Sequence, residues 1–137
     1  MTLHETAARP PLHMIDSEAH VLAELAARVE ERAPELSAML IAEVERAILH
    51  DAADVPPDVV TMNATVDFID EGDGTERTIR LVFPSDADIS AGRVSIMTPV
   101  GAALIGLRQG QSIVWPDRDG HARRLTVVKV DQEPRAA

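Results

Sequence analysis

The chain has 137 residues, 45% of them hydrophobic, which suits one domain of ordinary size, or one domain with an appendage, built around a real core. With 23 acidic against 13 basic residues the formal net charge is −10, a field that repels phosphate backbones and argues against direct nucleic-acid binding, sequence-specific or not; it serves solubility, or attraction to a basic protein partner. The absence of cysteine excludes disulfides, thiolate metal sites and cysteine nucleophiles, and no stretch approaches the ~18 consecutive apolar residues of a membrane span, so a cytoplasmic protein without membrane contact is expected.

Residues 1–15 contain Pro10-Pro11 and no apolar period, which predicts a flexible lead-in. From Asp16 the pattern changes. Asp16 or Ser17 can cap a helix, Glu18 suits the positive end of its dipole, and Val21, Leu22, Leu25 and Val29 repeat at helical spacing. Pro34 breaks this helix and suits the first position of another, whose stripe is Leu36, Leu40, Val44, Ala47 and Ile48. The pattern predicts an antiparallel hairpin over 16–53, with helices of about 16 residues and a length of roughly 25 Å. Its tip is acidic, carrying Glu30, Glu31 and Glu35, and the segment from Asp16 to Asp51 holds nine acidic and three basic residues.

Val55-Pro56-Pro57 ends the second helix, which the pattern carries to about His50-Asp51, and opens a second unit over 54–137. Ala64, Val66 and Phe68 alternate with polar residues, Asp70 to Gly74 turns the chain, and Ile79, Leu81 and Phe83 share the face of the next strand. A loop from Pro84 to Gly92 leads to Val94–Trp115, the stretch around which the chain is organised. Thr98 is a good N-cap, Pro99 sits at the first helical position, Val100, Leu104 and Leu107 recur at helical spacing, and Gly106 can take the left-handed conformation that stops a helix. A short helix over 99–105 between two strands follows. Asp119-Gly120 is a hairpin signal, and Leu125 to Val130 forms the last strand. The fold class is α+β: a helical hairpin, or short coiled coil, followed by a mainly antiparallel sheet with one short helix.

Catalytic chemistry is sparse. The histidines at 4, 13, 20, 50 and 121 contain no i, i+4 pair and no H-E-x-x-H, so no metal site is expected from them. The acidic residues between Asp67 and Glu76 do not alternate as a calcium loop requires and read as a solvated turn. Gly101 to Gly106 has the glycine spacing of a phosphate loop, but Leu107-Arg108 stands where the Lys-Ser/Thr pair would have to be. No enzyme activity, cofactor or metal is expected.

The run TPVGAALIGLRQGQSIVW, from Thr98 to Trp115, resembles the C-terminal domain of the Gre transcript-cleavage factors, whose comparable motif reads S-P-L-G-x-A-L-L-G. With DVVTMNATVDF (Asp58 to Phe68) and LVFPSDAD (Leu81 to Asp88) added, the chain resembles more closely the regulators of nucleoside diphosphate kinase within the same GreA/GreB superfamily. The resemblance covers roughly the last two-thirds of the chain. It implies an FKBP-like sheet domain, RNA polymerase as partner, and docking near the secondary channel through Thr98, Pro99, Val100, Gly101, Ala102, Ala103, Leu104 and Gly106. It leaves nucleoside diphosphate kinase as an alternative partner.

FKBP-like folds that act as prolyl isomerases need several rings around a pocket, whereas the aromatics here are Phe68, Phe83 and Trp115 alone, which suits a core. In the Gre factors acidic residues at the tip of a longer hairpin help to hold a catalytic magnesium. Here Glu30, Glu31 and Glu35 stand at a shorter tip without their sequence match, so the resemblance implies competition with Gre factors without cleavage. The small residues Gly101, Ala102 and Ala103 fit two readings, a contact surface or a helix packed closely on the sheet.

Overall fold

In the computed structural model, which describes residues 11–116 and 121–132, the first described element is a strand, within the stretch expected to be a flexible lead-in. Strand β1 (His13–Ile15) pairs in parallel with β2 (Ile48–His50), and Leu12, Met14 and Ile15 are buried. Residues 12–15 are therefore built into the fold. The second helix also stops earlier than its apolar stripe suggests, because Ile48 and Leu49 extend to pair with β1. That partner lies some 35 positions away in register, His13 against Ile48, and helical periodicity cannot report it. Residues 1–10 and the Asp119-Gly120 turn lie outside the described residues.

Helices α1 (Asp16–Arg28) and α2 (Pro34–Arg46) have 13 residues each, so the hairpin they form is about 20 Å long, shorter than expected. Neither Asp16 nor Ser17 caps α1. Ile15 occupies the N-cap position because β1 runs directly into the helix, and its side chain supplies no capping hydrogen bond. Pro34 opens α2 as expected. The buried face of the pair is smaller and more polar than the apolar stripes suggest: Ala19, Leu22 and Ala26 from α1 meet Ser37, Leu40 and Glu43 from α2. Ser37 Oγ donates to Ala26 O at 2.8 Å, a bond that small residues on both helices permit by bringing the backbones close.

The second unit is a five-stranded sheet in the order β5-β4-β3-β7-β6, with β3 (Thr65–Asp70), β4 (Thr75–Val82), β5 (Arg93–Ser95), β6 (Ser112–Pro116) and β7 (Ala122–Asp131). All its pairings are antiparallel except the edge pair of β4 with β5. Between β4 and β5 the chain makes two 3₁₀ turns. The second is capped by Asp88, which accepts from Ser90 N, and closed by Gly92 at φ +76°. Helix α3 (Pro99–Leu104) lies across one face of the sheet.

Hairpin and sheet share one apolar core, in which Leu12, Leu22 and Leu40 join Val66, Phe68 and Leu104. Glu18, in the first turn of α1, accepts from Met62 N at 3.1 Å and ties the hairpin root to the segment before β3. Residue 54 lies in a turn, and the apolar core runs on across it.

Candidate groove beside the short helix

Helix α3 begins where Thr98 Oγ1 accepts from Gly101 N at 3.1 Å and donates to Ser95 O at 2.7 Å, so the cap residue ties the helix to the end of β5. The helix ends at Leu104, and Gly106, just past its C-cap Ile105, takes the left-handed conformation with φ +85°. Gly106 is also a three-way joint: its N–H donates to Val60 O at 2.9 Å, its carbonyl accepts from His13 N at 3.0 Å, and a Cβ there would lie 3.1 Å from His13 O. The glycine is required twice, by conformation and by contact.

The motif residues divide by exposure. Gly101, Ala102, Ala103, Leu104 and Gly106 are all buried, and a Cβ on Gly101 would stand 2.4 Å from Ser95 O and 2.9 Å from Ile96 Cα. Their smallness lets the helix sit close on the backbone beneath it, and they cannot touch a partner while the domain is folded. This corrects the expectation of a contact surface at Ala102, where an arginine would have to displace the sheet. Thr98, Pro99 and Val100 are half-buried and face outward into a groove.

That groove, of about 330 Å³, runs between the start of α3 and the sheet; Phe68, Ile79, Val94 and Leu125 give it an apolar lining, and Asp70, Arg77 and Arg123 line it as well. Asp70 is buried, and its two oxygens are committed: one accepts from Gly72 N at 3.0 Å and the other pairs with Arg123 Nη2 at 2.5 Å. Arg123 also lies 3.8 Å from Asp73, whose carboxyl is held below its ordinary value chiefly by hydrogen bonds from Thr75, with the Arg123 charge adding to the effect. Arg77, by contrast, is exposed. The arrangement offers an apolar slot with a fixed ion pair and a cation at its wall, which fits a side chain or short segment of a protein. Among the described residues no group of three or more histidines and carboxylates is placed to hold a metal ion.

Sequence reasoning found one wall of this groove and missed the others, since Phe68, Ile79, Val94 and Leu125 come from four different strands. One signal was present. Asp70 continues the inward-facing positions of Val66 and Phe68, and an acidic residue on the buried side of a strand requires a partner. The hairpin tip is as expected in position: Glu30 and Glu31 lie in the turn, Glu35 in the first turn of α2, and all three are exposed. No described helix is long and apolar enough to cross a membrane.

Three comparisons bear on this arrangement. Residues 55–132 match the family model described as "Transcription elongation factor, GreA/GreB, C-term". Over 98 residues the chain is 44% identical to the regulator of nucleoside diphosphate kinase of Escherichia coli K12, covering 72% of each chain. It is 36% identical over 115 residues to the transcription elongation factor GreA of Azorhizobium caulinodans, covering 84% of this chain and 70% of that one. Among solved structures, a transcription elongation factor GreA/GreB from Nitrosomonas europaea superposes with a TM-score of 0.70 and 37% identity, covering 90% of this chain and all of that one.

Proposed function

Because the chain belongs to the GreA/GreB family of transcription elongation factors, we propose that it is a regulator that binds RNA polymerase near the secondary channel through its sheet domain, competing with Gre factors without stimulating transcript cleavage. The observation that carries this reading is the shortness of the hairpin beside a sheet domain that matches the family. The family match covers the sheet domain with its groove, whereas the hairpin has only two 13-residue helices and spans about 20 Å. In this reading Thr98, Pro99 and Val100 contact the polymerase at the groove, and Glu30, Glu31 and Glu35 point toward the channel entrance without reaching the catalytic magnesium. The net charge of −10 supports a protein partner over a nucleic acid.

Stalled, backtracked elongation complexes test it directly. Added alone, the protein yields no shortened transcripts; added in excess over a Gre factor, it slows that factor's cleavage. Efficient cleavage by the protein alone, lost when the three tip glutamates are replaced by glutamine, would overturn the proposal. The 44% identity to a regulator of nucleoside diphosphate kinase favours a second reading, in which that kinase is the partner or the regulated product. Capture from lysate separates the two for direct binding: polymerase subunits dominate in the first case and the kinase in the second.

A further inference from the structure

At the hairpin root two histidines meet that the docking reading does not use. His13 Nδ1, from β1, lies 3.0 Å from His50 Nε2, from β2, with ring centroids 5.2 Å apart and planes inclined by 31°. Each ring nitrogen sits about 1.1 Å from its ring centre, so this centroid separation is what a nearly straight N–H···N line gives. The nitrogens therefore point at one another. A shared metal would require both lone pairs to converge on a third point, and this geometry is that of a hydrogen bond.

Such a bond needs one N–H and one free lone pair. The pair holds together with both rings neutral, or with one proton shared as a monocation; a second proton leaves two N–H groups and two positive charges face to face. The surroundings do not relieve that repulsion. Arg108, on the segment after α3, adds positive charge, and Asp58, which offsets it, is already paired with Arg108 at 3.0 Å. Helix α1, packed on both strands, brings Asp16 and Glu18 in its first turn, but Glu18 is engaged by Met62 N–H; Asp51 follows His50. Burial first, then His50 and Arg108, hold the His13 pKa below its ordinary value of 6.5, with Asp58 opposing.

The pair stands where the hairpin joins the sheet domain. His13 N donates to Gly106 O at 3.0 Å and Ile48 N to Leu12 O at 2.8 Å, so β1 is held on one side by the end of α3 and on the other by β2. We propose that the His13–His50 contact is an acid-sensitive latch on the hairpin root, closed while the pair carries at most one proton and released when both rings are protonated. The sign follows from proton uptake: the open form takes up the second proton more readily than the closed one. The latch is at full strength above the ordinary value of 6.5 and weakens as pH falls through it. The closed-to-open ratio falls by up to about tenfold per pH unit for each proton taken up.

Amide hydrogen exchange followed by NMR on the full chain from about pH 7.5 to about pH 5, corrected for intrinsic rates, tests the proposal. The His13 and Ile48 amides lose protection by about tenfold across this range, while the Leu81 and Val127 amides of the sheet keep theirs. In the same samples the His13 ring titrates below its ordinary value. In His50→Gln, which keeps a neutral hydrogen-bonding group, the pH dependence of the root amides disappears and the His13 midpoint rises. The His13 ring titrating at its ordinary value in the wild type, root amides that stay protected at about pH 5, or loss of protection throughout the molecule together would each overturn it. The wild-type series decides by itself if the variant does not fold.

Discussion

Replacing Gly101 by alanine adds a single methyl group at the tightest of the described glycine positions. The new Cβ would stand 2.4 Å from Ser95 O and 2.9 Å from Ile96 Cα, against the 3.4 Å at which ordinary contact begins. Both neighbours are backbone atoms of the chain entering α3, so no side chain can rotate away, and helix and strand must part by about 1 Å. Parting them loosens Ala102, Ala103 and Leu104 as well, all 0% exposed in the wild type. Overpacking of this kind costs about 1–3 kcal/mol, with the rigid backbone partners placing it at the upper end, whereas alanine gains about 1 kcal/mol over glycine in a helix interior. The clash wins by about 2 kcal/mol, which for a domain of this size lowers the thermal midpoint by about 8 °C. Thermal unfolding followed by circular dichroism, with urea denaturation as a check on the unfolding slope, measures it. A midpoint equal to or above that of the wild type would refute the reasoning, showing that helix and strand part at no cost.

Two other outcomes test the proposed docking. Arg77→Glu, at an exposed position on the groove wall, changes stability by no more than about 0.5 kcal/mol but abolishes co-purification with RNA polymerase; retained binding would move the contact away from the groove. Glu30, Glu31 and Glu35 changed together to glutamine weaken polymerase binding severalfold at low salt and less at high salt, because exposed charges are screened beyond about 10 Å at roughly 0.1 M salt. A loss independent of salt would assign the tip a packing role in place of an electrostatic one.

Much of the architecture was legible because its signals are local. Thr98-Pro99 and Gly106 bracket α3 by capping chemistry that depends on a few neighbouring residues, and Pro34 starts α2 for the same reason. Alternation over Val66 and Phe68 located β3 and its buried face. The fold class follows from that punctuation.

What only the tertiary structure decided is everything that depends on distant partners. Leu12, Met14 and Ile15 carry no period of their own, and their burial follows from pairing with Ile48–His50 and from the joint at Gly106. The stripe through Ile48 ran past the true end of α2 because an apolar residue satisfies a helix and a strand equally until a partner strand chooses between them. Small residues in the motif fit packing and contact alike in the sequence, and only the fold shows that Gly101, Ala102 and Ala103 are buried. The groove is assembled from four strands and a helix, and the histidine pair from positions 13 and 50, so both come from residues that share no sequence neighbourhood. Sequence punctuation sets where each element starts and stops, because caps and turns act over a few residues; which faces meet, and so which side chains remain available to a partner, is set by packing between elements far apart in the chain.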